Sequence, residues 1–117
     1  MSEDHVNSIR ILHKAQEEKR YTKLVLQLLK DFQLANVSLG ITLLVTPEEV
    51  KSAVHEKVYY LHMEKFDDYL NLMYVVDVPE NAFKNGSYSD VVDFTERATY
   101  HILRRELEKV RLKEEYD

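Results

Sequence analysis

Asn36-Val37-Ser38-Leu39-Gly40-Ile41-Thr42-Leu43 alternates polar or small residues with apolar ones without a slip. That is the period of a half-buried strand, whose side chains point to opposite faces in turn. A strand needs a partner, and the candidates are residues 74–78 and 6–12. Strands at 37–44 and 74–78 would make the chain a small α+β or α/β protein. The other solution is a helical bundle in which residues 36–45 form a nonhelical crossing. Residues 74–78 decide between them, because they continue smoothly from a helical pattern through Phe66, Tyr69 or Leu70, and Met73. We therefore expect an all-α bundle of four or five helices with a nonhelical crossing segment at 36–45.

Immediately after the crossing, Thr46 can cap a helix, Pro47 suits the first helical position, and Glu49 completes a Thr-x-x-Glu capping box. Val45 and Val50 stand where a hydrophobic staple places its two residues. Val50, Val54, Val58 and Leu61 then repeat at helical spacing. The phase shifts towards Phe66, which predicts one long helix with an irregularity near residues 64–68 or two helices joined there. Val78 precedes Pro79 and is pushed towards extended backbone, so this element ends by about Asp77.

Upstream, Tyr21, Leu24, Val25, Leu28, Phe32 and Ala35 mark one face of a helix from about residue 19 to 35. Val6, Ile9, Leu12 and Ala15 mark an earlier one, and residues 16–20, without an apolar side chain, separate the two. Downstream, Asn85-Gly86-Ser87 is a turn, and Ser87 or Ser89 can cap the next helix. Val91, Phe94, Ala98, Ile102, Leu103, Leu107 and Val110 trace a drifting stripe on that helix, from about residue 90 to 111 and about 33 Å long. The expected core draws on these faces and includes Phe66, Leu70, Met73 and Phe94.

A chain of 117 residues has the size of one domain and buries about two thirds of its unfolded surface. We take residues 1–117 as a single helical domain, with 1–5 disordered and 114–117 frayed. With 44% hydrophobic and 32% charged residues it lies outside the disordered regime. Two glycines and two prolines cannot supply the turn every 8–12 residues or so that a sandwich or barrel needs. The absence of cysteine excludes a disulfide framework, an iron–sulfur centre and a thiol nucleophile. No secretory signal and no run long enough to span a membrane are read, so the expected location is cytoplasmic, with no membrane partner. The net charge of −5 has the wrong sign for a typical nucleic-acid binder.

His55, Tyr59 and His62 fall on one side of a helix, and with His101 or Asp67 they could hold zinc. Neither a His-Glu-x-x-His motif nor a Glu-x-x-His pair supports that arrangement. Asp67-Asp68 and Asp77 with Glu80 lie near predicted breaks, but adjacent helical residues diverge, which points to capping and solubility rather than paired acid–base work. Gly40 and Gly86 alone cannot build a phosphate-cradling loop, and no Gly-x-Ser-x-Gly elbow occurs. No catalytic residue and no cofactor are assigned.

Tyrosine is the remaining signal. Of eight, seven fall in the second half of the chain, among them Tyr59, Tyr60, Tyr69, Tyr74 and Tyr100, a residue type favoured where an apolar body meets a wet edge. These five are the candidate interaction residues. The expected function is a non-catalytic helical module that binds a protein partner or a second copy of itself. Two alternatives use other residues: a small metal-binding or acid–base enzyme on the His55/His62 face, and a nucleic-acid binder using Arg104, Arg105, Lys109, Arg111 and Lys113.

Overall fold

The computed structural model describes residues 3–84 and 90–116, with side chains for 8–82 and 90–116. Six helices form among them: α1 (Glu3–Glu17), α2 (Tyr21–Leu34), α3 (Pro47–Glu64), α4 (Phe66–Val76), α5 (Glu80–Lys84) and α6 (Val91–Tyr116). No described residue lies in a strand. The all-α bundle with its nonhelical crossing is thus what the chain adopts. The α/β alternative falls because residues 74–76 complete α4. The Asn85-Gly86-Ser87 turn and the Ser87 or Ser89 cap lie outside the described residues.

Local chemistry explains where the helices start and stop. Thr46 accepts from the Glu49 amide at 3.2 Å while the Glu49 carboxylate accepts from the Thr46 amide at 2.9 Å, so the capping box forms with Pro47 beside it. Three other ends share one device. Arg20 donates to the Ala15 carbonyl, Val37 to Phe32 and Val78 to Met73, each a six-to-one bond that closes a Schellman turn. The residue inside each turn takes a positive φ, 61° at Lys19, 62° at Asn36 and 72° at Asp77. Asparagine and aspartate tolerate that region better than other non-glycine residues, and none of the three positions carries glycine.

Packing is organised around α6. The principal contacts run α1 to α2, α2 to α4, α4 to α3 and α3 to α1, and all four of these helices also touch α6. Four helices therefore form a ring and α6 is its axis. At 26 residues α6 is about 39 Å long, matching the 38 Å longest dimension of the molecule. The radius of gyration is 13.3 Å, the value expected for a compact domain of this length. The sequence stripe on α6 stopped near Arg111, whereas the helix continues to Tyr116, and Glu114 pairs with Arg20 and Lys23.

Leu24, Val25, Leu28, Phe32, Val50, Val54, Val58, Leu61, Met73, Ala98, Ile102 and Leu107 are buried as expected, and Leu70 and Phe94 pack partly buried against them. Phe66 is a correction. It is 49% exposed, and Tyr69 takes the inward position at 1%. The cause is the break at Lys65: α4 restarts there with its own phase, and its first residue points outwards.

α2 and α3 do not adjoin in the ring, so their link cannot be a short turn. It doubles back along α2, and the Tyr21 hydroxyl, at the start of that helix, donates to the Val45 carbonyl at 2.6 Å. Val37 and Leu39 are buried while Ser38 and Gly40 are exposed. The alternation in the sequence is thus real as a side-chain pattern through Gly40, fades at the half-buried Ile41 and ends at the exposed Leu43, without a strand to pair with.

Candidate functional site

The histidine face does not converge. His55 Nδ1 lies 3.0 Å from Glu96 Oε1, an interhelical link between α3 and α6. His62 instead stacks on Phe94, with ring centroids 4.2 Å apart, and meets the edges of Phe66 and Tyr69. Burial holds its pKa below the ordinary histidine value, so it is neutral at pH 7. His101 sits against the Tyr100 ring, and Asp67 is exposed in the first turn of α4. No group of three or more His, Asp or Glu side chains among the described residues is close enough to hold a metal.

The basic residues of α6 fasten it to the ring. Arg105 donates to the Asp77 carboxylate at 2.8 Å and also pairs with Glu108. Arg111 donates to Glu18 at 2.6 Å. The Glu18 carboxyl lies below the usual carboxylate range, chiefly through the Arg111 hydrogen bond. Lys113 donates to Gln27. Of the five cations, only Arg104 stands exposed with no partner among the described residues.

Lys109 belongs to a polar cluster that the sequence did not announce. Its ammonium donates to Asp31 and, at 2.9 Å, to the Val76 carbonyl, and lies 3.3 Å from Glu106. Gln27 donates to the other Asp31 oxygen at 3.1 Å. Glu106 is fully buried on the α6 axis. Its pKa is pushed up to about 9, first by burial, then by the hydrogen bond to Asp31 and the charge there, which together outweigh Lys109. As a carboxylate, Glu106 would have no well-aligned donor for either oxygen. Protonated, it becomes a donor to Asp31, which completes the cluster. The groove beside them between α2 and α6 is lined by Leu26, Gln27, Val110, Glu114 and three lysines, and not by Asp31, Glu106 or Lys109. The cluster joins α2, α4 and α6.

The interaction residues divide. Tyr59, Tyr60 and Tyr74 are exposed, Tyr100 is half-buried, and Tyr69 belongs to the core. Met63 and Phe66 join Tyr59 and Tyr60 as exposed apolar side chains near the α3–α4 break. A second surface was missed. Residues 33–47 contain no charged residue, in a chain that is 32% charged. Leu34 and Leu43 are exposed there, and Leu44 is 95% exposed. A groove of about 550 Å³ runs between this crossing and Leu29 and Gln33 of α2. A second of about 310 Å³ separates it from α3 at Ala53, Glu56, Lys57 and Tyr60. Tyr60 thus belongs to the same surface. The signal that finds this surface is a missing residue class rather than a motif.

No helix among the described residues is long and apolar enough to cross a membrane. No family model, no curated protein and no solved structure matches the chain.

Proposed function

We propose that the protein is a non-catalytic interaction module whose contact surface is the uncharged crossing between α2 and α3. One observation carries this reading: Leu34, Leu43 and Leu44 stand in water on a stretch of fifteen residues, 33–47, with no charge to solvate it. Single exposed apolar residues are ordinary on protein surfaces. A charge-free stretch with exposed leucines beside a groove has the composition of an interface centre, where charged residues are depleted. The folding of the domain does not call for it, because Leu44 contributes almost nothing to the core.

Photo-crosslinking tests the proposal directly. A photoreactive amino acid replaces Leu44 in one variant and Lys14, on the exposed face of α1, in another. The expected result is a protein adduct at position 44 that exceeds the yield at position 14 at least tenfold in a native lysate. Equal yields at the two positions would overturn the assignment.

A further inference from the structure

Two surfaces away from the crossing carry opposite charge around apolar groups. The first is the groove between α2 and the C-terminal part of α6, of about 250 Å³. Leu26 and Val110 supply its apolar surface, and the exposed Lys23, Lys30 and Lys113 line it. Lys30 has no carboxylate partner among the described residues, and Lys113 donates to the neutral Gln27 amide. Glu114, the one acid lining the groove, is shared by Lys23 and Arg20. The second surface is the α3–α4 break, where every residue from 63 to 68 is exposed. Phe66 is held against the His62 and Tyr69 rings, at centroid distances of 5.4 and 5.6 Å, yet is 49% exposed. Glu64, Asp67 and Asp68 flank it with Lys65 as the one cation, and none of the three carboxylates has a partner among the described residues. The two surfaces cannot meet within one molecule. Through His62, Phe66 stands at the level of Phe94 on α6, whereas the groove begins at Val110, about 24 Å further along that axis.

We propose that the chain self-associates head to tail, the Phe66 ring of one copy entering the Lys23–Lys30–Lys113 groove of the next. The contact uses no residue of the crossing and so adds a second surface to the one assigned above. Three features favour a second copy as the occupant. The first is charge: the groove lining carries a net of +2 and residues 64–68 a net of −2, on side chains that lack partners of their own. The second is size: a cavity of about 150 Å³ holds a benzene ring, so a groove of about 250 Å³ has room for a phenyl side chain. The third is placement. Ring and groove lie at different levels of the α6 axis, so the contact is heterologous and passes from copy to copy. The ring supplies apolar contact, while the charges around it steer encounter and fix orientation.

Sedimentation velocity of the intact chain, over a concentration series up to about 1 mM, tests the contact. The expected result is reversible assembly beyond a dimer. Its association constant should fall at least fivefold between about 0.05 and 0.5 M salt, as a charge-steered contact requires. Leu26→Glu sets a carboxylate in the groove, and Phe66→Lys removes the ring and puts a cation in its place, both at positions 49% exposed. Each variant alone should be monomeric with its helical circular dichroism unchanged. An equimolar mixture should form a one-to-one dimer that grows no further, because it retains one intact ring and one intact groove. That dimer also shows both variants to be folded. A mixture that stays monomeric would overturn the pairing, as would either variant assembling like the wild type or a wild-type assembly that stops at two copies. A wild-type chain monomeric throughout would overturn it too, and would leave the groove to an acidic segment of a different protein.

Discussion

The Asp31–Glu106–Lys109 cluster and the 33–47 crossing invert the usual distribution of polarity in opposite places. The cluster puts ionisable groups at the centre of the bundle, where every one of them has a partner inside the chain. The crossing puts leucines and free main-chain groups at the surface, where they have none among the described residues. The difference teaches where to look for function. A buried polar group with an internal partner accounts for itself by joining helices. An exposed apolar group with no internal role calls for something outside the molecule.

Substitutions in the two regions should therefore separate stability from association. The largest effect is expected for Asp31→Ala, which leaves the half-buried Lys109 ammonium without its main counter-charge. Removing one partner of a buried pair costs about 3–5 kcal/mol, to be measured by urea denaturation. A loss below about 1 kcal/mol would mean that water reaches the cluster.

Glu106→Gln comes next and acts through pH. Because the folded-state pKa is raised from 4.5 to about 9, the folded chain keeps a proton that the unfolded chain releases. Stability from this group is full below pH 4.5 and declines as pH rises towards 9. Glu106→Gln has no such proton to lose. It should gain on wild type by about 2 kcal/mol between pH 7 and pH 9, seen as a flatter profile in urea titrations at each pH.

A smaller loss, about 1 kcal/mol, is expected for Thr46→Ala, which removes the capping box where the crossing hands over to α3. Thermal melts should show it without change in helix content. The smallest is Leu44→Glu, within about 0.5 kcal/mol of wild type in the same melts, since its side chain is in solvent. If Leu44→Glu cost as much as Thr46→Ala, the contrast between the two regions would be lost.

The sequence was most legible where the chemistry is local. The capping box at Thr46 and the alternation at residues 36–43 depend on neighbours a few positions away, and both are read directly. Phe66 was misplaced because a helix break resets the phase of everything after it, and Lys65 carries no distinctive mark of a break. Glu106 was invisible for a different reason. A glutamate in a helix looks solvated until the helix proves to be the axis of a ring, and burial on all sides cannot be inferred from one stripe. Thr95, Glu96 and Thr99 went inside for the same reason. The candidate surface was present in the sequence as a gap in charge, which a search for motifs passes over. Of the five candidate tyrosines, Tyr60 borders it.

The axial position of α6 also sets a timetable. The four helices of the ring are all made before it, and Leu12, Leu24, Val54 and Leu72 are buried in the finished bundle. On the ribosome these side chains emerge with no axis to close upon, so the nascent chain remains open and adhesive until α6 clears the exit tunnel. A chain stalled before α6 would hold the four helices of the ring without the element that all of them pack against.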